Sequence, residues 1–237
     1  MIKVSDIEKA TMTESKRKEA HNNIFAFYIG RPISYVMTIP FLYTNITPNT
    51  ITFISIILLI IGSGFFLVGR STFMYVIGWV FFFLWNLFDG IDGNVARYKK
   101  QFSKTGDLWD TTAGYLAMVA TYMAAGVGAY HIDSLSFLPR EVYLILGGWT
   151  AIFSIFPRLI LHKKKSSMGD TEDVKEFRDK NNFSLVKVIV LNLISITSFL
   201  QIIWLIAIVF EVESLFVIFY FIANAGIMLV TLYKLLK

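Results

Sequence analysis

Long apolar runs alternate with short polar breaks along most of the chain. The runs cover roughly 50–69, 72–97, 106–130, 141–162, 184–210 and 214–234. A helix needs about 20 predominantly apolar residues to cross a bilayer. The pattern therefore predicts an all-α, polytopic membrane protein with six transmembrane helices. Residues 24–44 are also apolar, but Gly30, Pro32 and Pro40 interrupt them. That suits an N-terminal amphipathic helix lying at the interface better than a straight span. Residues 1–23 are polar and mixed in charge, and read as a solvated or interfacial helix with Thr13 and Ser15 as caps. The turn Thr47-Pro48-Asn49-Thr50 opens the first span, because Pro disfavours helix before it and Thr or Asn can cap the helix after it. No internal repeat or low-complexity tract divides the chain. Two regions result: a polar segment, 1–23, and one membrane domain, 24–237, that includes the interfacial helix.

Composition agrees with this pattern. Of 237 residues 55% are hydrophobic, and the mean hydropathy is +0.60. The polar N-terminal stretch has no apolar core of the kind a cleavable signal peptide needs, so the first span is expected to serve as its own insertion signal. The absence of cysteine excludes disulfides and thiolate metal sites. His21, His131 and His162 are scattered along the chain, as surface or loop residues usually are.

Charge sets the expected orientation. Six Lys and Arg precede the first span, four lie between Arg97 and Lys104, eight between Arg158 and Lys187, and two at the C-terminus. Only Arg70 and Arg140 fall on the other side. Under the positive-inside rule both termini and both basic loops face the cytoplasm of a multi-pass cell-membrane protein. The net charge of +5 then reflects topology. The basic residues show no compact interleaving with aromatics, so nucleic acid is not an expected partner.

The second span ends in LWNLFDGIDGNVARYKK and the third begins in TGDLWDTTAGYLAM. Their short loop predicts antiparallel neighbours. A carboxylate within a span costs about 2.5–3.5 kcal/mol on insertion scales, so Asp89, Asp92 and Asp110 demand an explanation. Asp89 and Asp92 share a helix face, and Gly93 and Ala96 continue that face with small side chains. At about 1.5 Å of rise per residue, the antiparallel pairing puts all three acids at one depth near the cytoplasmic helix ends. Three close carboxylates repel one another. A hard divalent cation, Mg²⁺ or Mn²⁺, resolves the repulsion and commonly works beside substrate phosphates. Paired ions can clamp both the attacking and the leaving oxygens of a phosphoryl transfer. Arg97 and Lys99, further along the same helix, could hold phosphate charge. Without a ligand, the same acids would simply be helix-end residues facing water.

The stretch Asp89-Gly90-Ile91-Asp92-Gly93-Asn94-Val95-Ala96-Arg97, followed after eight residues by Gly106 and after three more by Asp110, resembles the signature D-x-x-D-G-x-x-A-R-x8-G-x3-D-x3-D of the CDP-alcohol phosphotransferases. The interfacial helix, the Thr-Pro-Asn turn and the six spans look like that family as well. The resemblance implies transfer of a phosphate-linked group, phosphatidyl or phospho-alcohol, from a CDP-linked donor to an alcohol acceptor with release of CMP. It implies Mg²⁺ or Mn²⁺, in two ions, on Asp89, Asp92 and Asp110. It places Gly93, Ala96, Arg97 and Gly106 along the nucleotide, and Asn49 and Thr52 near the cytidine, although a helix cap explains those last two equally well. It also implies a homodimer.

The fourth signature aspartate is absent, because position 114 is Gly114. Asp107, one turn before Asp110, could substitute as the base. Otherwise metal coordination or a substrate phosphate deprotonates the acceptor, or the activity is changed or lost. Arg158, after Pro157 in an apolar run and ahead of Lys163, Lys164 and Lys165, is a candidate for an anionic acceptor or lipid phosphate, with positive-inside topology as the plain alternative. Asn86, Asn192, Gln201 and Asn224 are expected to bond between helices, and Gly147 and Gly148 to allow close packing. CDP-diacylglycerol with a small polar acceptor is the favoured pair, and a CDP-linked head group with a lipid alcohol the alternative. A degenerate homologue would explain Gly114. A cation transporter using the same carboxylates is disfavoured by the nearly acid-free run from Leu116 to Ala125.

Overall fold

The computed structural model describes residues 2–135, 137–169 and 184–237, and these are helical without strands. The chain begins with two short helices, α1 (Val4–Thr11) and α2 (Glu14–His21). A π-helical turn, Ala26–Gly30, leads into α3 (Arg31–Leu42). The N-terminal stretch is not simply solvated. Ile7 is fully buried and Thr11 nearly so, and α1 packs on α3 and on a long later helix. Thr13 Oγ1 accepts from Lys16 N–H at 3.4 Å, and the Ser15 side chain lies outside the described residues. Pro32 falls in the first turn of α3, where a missing N–H costs nothing. The protein-facing side of α3 carries Ser34, Tyr35 and Thr38, whereas Ile33 and Val36 are exposed.

Among the described residues seven helices follow: α4 (Pro48–Val68), α5 (Thr72–Lys99), α6 (Gly106–His131), α7 (Arg140–Met168), α8 (Leu185–Ile194), α9 (Phe199–Val209) and α10 (Glu213–Leu236). The Thr-Pro-Asn turn does open α4, with Thr47 as the cap and its Oγ1 accepting from Thr50 N–H at 3.3 Å. Among the described residues five helices, α4 to α7 and α10, are long and apolar enough to cross a membrane. The expected span 184–210 is instead α8 and α9, bent by 48° at their junction, so the count is five, or six if the pair is one span. The break falls at Ser195-Ile196-Thr197-Ser198, where hydroxyls compete for backbone partners. Freed polar groups in such a break need internal partners. Gln201 Nε2 donates to Ile196 O at 3.1 Å and the Tyr220 hydroxyl to Leu193 O at 2.7 Å. The mixed-charge stretch expected from His162 begins instead as the last turns of α7, which runs to Met168. Its continuation lies outside the described residues.

The expected pairing of α5 with α6 is corrected. α4 packs along both of them, and they touch each other only sparsely. Glycines account for the stronger pairings. A Cβ on Gly62 of α4 would stand 3.0 Å from Gly78 O of α5, and one on Gly126 of α6 would stand 2.8 Å from Tyr143 O of α7. Backbones at that range pack only where side chains are absent, and such packing is the main source of helix association in lipid. Gly147 serves the α6–α7 contact as expected. Gly148 does not, since a Cβ there would meet nothing within 4 Å. Away from the motif end the core is aromatic: Phe66 stacks on Tyr75 and Trp204 with centroids 4.7 and 5.0 Å apart. Asn224 donates to the Tyr122 hydroxyl at 3.3 Å, an inter-helix bond of the expected kind.

Candidate functional site

A cavity of about 700 Å³ opens at the end of the bundle where α5 stops and α6 starts. Asp89 and Asp92 reach it from α5, and Asp107 and Asp110 from the first turns of α6. The sparse contact between these two helices leaves room for it. Among the acids only Asp92 is buried, at 4% exposure. Asp89 is half-buried, while Asp107 and Asp110 are exposed, so the cluster is shallower than expected. The charges of Asp89, Asp92 and Asp110 act on one another, and that of Asp107 acts on Asp110.

Asp92 is held in place from α4. The Thr52 hydroxyl lies 2.5 Å from Asp92 Oδ2 and 3.2 Å from Pro48 O. One proton serves one acceptor, and the carboxylate makes the stronger bond. Asn49 is not the α4 cap, but exchanges hydrogen bonds with Ser103 at 3.1 and 3.3 Å, tying the start of α4 to the α5–α6 loop. Gly106 begins α6 beside that pair. Arg97 folds back along its own helix, and its guanidinium occupies the space a Cβ on Gly93 would take, 2.7 Å from Nη2. Glycine at 93 thus lets the guanidinium turn into the cavity.

Lys99 stays outside the cavity, its Nζ donating to Phe41 O at 3.0 Å and Thr44 O at 2.6 Å. The other sequence-predicted site residues on α4, α5 and α6 line this one cavity: Asn49, Thr52, Asp89, Asp92, Gly93, Ala96, Arg97, Gly106, Asp107 and Asp110. Arg158 does not. It stands on α7, where its charge acts on Tyr115 and Tyr122, because α7 packs on α6 and α10 rather than on α5. Position 114 is open as well as acid-free, since a Cβ on Gly114 would meet nothing within 4 Å.

The wall holds further residues that sequence reasoning passed over. Lys16, Asn23, Arg31 and Ser34 come from α2, α3 and the turn between them, and Leu191 and Thr197 from α8 and its break. Asn94, inside the motif, is 3% exposed. Its Nδ2 donates to Thr38 Oγ1 at 3.1 Å and Ser34 Oγ at 3.4 Å, binding α3 to α5. A lone cation just before Pro32, in an otherwise apolar stretch, was the signal available for Arg31.

The donor set suits a hard divalent ion. It is made of carboxylate oxygens, and no Lys or Arg among the described residues forms a salt bridge with any of these four acids. No three His, Asp or Glu side chains among the described residues are grouped closely enough to hold an ion by themselves. Mg²⁺ does not require that, since it commonly takes one or two carboxylates and completes its shell with water and substrate phosphate.

The sequence pattern of the CDP-alcohol phosphatidyltransferase family matches residues 45–233. The match takes in the helices from α4 onward and leaves α1 to α3 outside it. No curated protein matches the chain.

Proposed function

The chain belongs to the CDP-alcohol phosphatidyltransferase family, and on that premise we propose that its cavity moves a phosphate-linked group from a CDP-linked donor to an alcohol acceptor. The family carries out such transfers at membranes and depends on a divalent metal. The observation that carries the reading is the meeting of Asp89, Asp92 and Asp110, from two helices, in one open cavity without a salt-bridged cation among the described residues.

In the proposed reaction the acceptor hydroxyl oxygen forms a bond to the donor phosphorus remote from cytidine. The phosphoanhydride bond to that phosphorus breaks, and CMP departs with the electron pair. The hydroxyl proton passes to a carboxylate. Asp107 is the proposed base, with Asp110 beside it, because both face the cavity and position 114 offers no acid. Mg²⁺ or Mn²⁺, in two ions on Asp89, Asp92 and Asp110, would offset the charge of these acids and of the diphosphate. Gly93, Ala96, Arg97 and Gly106 would lie along the nucleotide. Thr52 acts through Asp92 as a positioning residue, and Asn49 keeps the loop at the cavity's edge. CDP-diacylglycerol is the favoured donor, a role in phospholipid biosynthesis follows, and the site faces the cytoplasm of a homodimer in the cell membrane.

The test is CMP release by purified protein with a panel of CDP-linked donors and alcohols, with Mg²⁺ or Mn²⁺. Metal-dependent turnover that Asp89→Asn and Asp110→Asn abolish is expected. No CMP release with any pair would overturn the reading and favour a degenerate homologue, for which Gly114 is the supporting residue.

A further inference from the structure

Two arginines face the same cavity from different helices. Arg97 belongs to the motif on α5, whereas Arg31 opens α3, in the part of the chain before residue 45 that the family pattern does not match. Their charges act on each other. Among the described residues neither has a carboxylate within salt-bridge range, and Arg97 Nε is buried without a hydrogen-bond partner. Asp92 and Asp110 act on Arg97 only from beyond that range, so the two guanidiniums repel without a directly bound anion, and a buried donor without a partner is costly.

The backbone carrying Arg31 is fixed rather than loose. Arg31 O accepts from Ser34 Oγ at 2.9 Å, and Ser34 and Thr38 are bound by Asn94 of α5. Gly90 lets α3 come close, since a Cβ there would stand 3.1 Å from Ser34 Cβ. The bonds that seat α3 therefore join it to the helix that bears Asp89 and Asp92. Two planar guanidiniums on one cavity wall match the oxygens of a phosphate group in a way that a lysine does not.

We infer that Arg31 and Arg97 form a binding site for a phosphate group of a substrate, with Arg31 as a specificity-determining residue supplied from outside the matched region. The inference rests on the transferase reading. The phosphate comes either from the donor's diphosphate or from an acceptor that is itself a phosphate ester, and the test separates the two.

The test uses the full chain in nanodiscs with Mg²⁺, wild type against Arg31→Gln, and measures calorimetric affinity for cytidine, CMP, CDP, glycerol and glycerol 3-phosphate. Charge-assisted hydrogen bonds of this kind correspond to a loss of about tenfold or more. That loss for CDP, with CMP unchanged, assigns the site to the donor's second phosphate. The same loss for glycerol 3-phosphate, with both nucleotides unchanged, assigns it to the acceptor. Either result supports the inference, and Arg31→Lys should recover part of the affinity. Unchanged affinity for every probe, in a chain whose wild type binds CMP, overturns the arginine site and leaves the transferase reading standing. Loss of CMP together with CDP, with cytidine as a phosphate-free probe unchanged, assigns the site to the phosphate next to cytidine. The same loss for cytidine overturns the inference, because Arg31 would then serve the shape of the cavity. If the wild type binds no nucleotide, both readings fall.

Discussion

At one end of the bundle Asp92 is 4% exposed, and at the other Glu213 is 1% exposed. Each carboxylate accepts one hydrogen bond from a neighbouring helix, Asp92 from Thr52 and Glu213 from Trp204 Nε1 at 3.1 Å. Their surroundings differ. Asp92 opens on a cavity with other acids around it. Glu213 is wedged against Gly128, where even a Cβ would collide with its carboxylate, and its Oε2 has no partner. It stands in the first turn of α10, where a helix dipole favours negative charge. Asp133 Oδ1 accepts from Ser214 N–H of that turn at 3.1 Å. Depth of burial does not separate the two acids. Open volume does: Asp92 borders the cavity that Asp89, Asp107 and Asp110 share, whereas Glu213, with Asp133 as its like-charged neighbour, is packed against Gly128.

The strongest challenge to this contrast is a pair of amides. Asp92→Asn should lower metal-dependent CMP release by about a hundredfold or more, as loss of one strong electrostatic group commonly does. Glu213→Gln should change it only a few-fold. Comparable losses in both, measured in one turnover assay, would erase the distinction. Next in size is stability at the Glu213 end. Gly128→Ala should destabilise by about 1–3 kcal/mol through overpacking, read as a lower melting temperature in detergent. Gly148→Ala, which fills open space, is the control and should leave melting nearly unchanged.

Smaller effects sharpen the picture of the acidic end. Gly114→Asp has room for its side chain, so it should leave melting unaltered and raise turnover several-fold if the missing acid limits the rate. An unchanged rate would show that proton removal is already served. Asn94→Ala should cost about 1 kcal/mol of stability from lost hydrogen bonds. It should also raise KM more than it lowers kcat, because it loosens α3 rather than the carboxylates.

Much of this was legible in the sequence for a plain reason. Apolar periodicity reports helices directly, and the spacing of Asp89, Asp92 and Asp110 is a local property of two helices and one short loop. What escaped depends on packing between distant segments. The close pairing of α4 with α5 follows from glycines 62 and 78, whose partners cannot be paired from sequence alone. The place of Arg31 in the wall depends on Asn94, 60 residues from Ser34. Arg158 stands outside the cavity wall because the neighbours a cation on α7 faces are set by how α7 packs, which the sequence does not report. The bend between α8 and α9 was hidden because hydroxyl residues in a span can also stay helical.

The junction of the N-terminal segment with the α8 break also bears on biogenesis. Asn192 accepts from Ile24 N–H at 2.8 Å and donates to Asn22 O at 2.7 Å, across separations of 168 and 170 residues. The carboxylates and Thr52 are all on the chain once α6 has been made. The wall that carries Asn23 and Arg31 receives this clasp only after α8 has been synthesised. A nascent chain therefore carries its acids before their enclosure is complete, and a ribosome stalled before residue 192 would leave the first helices without their last fastening.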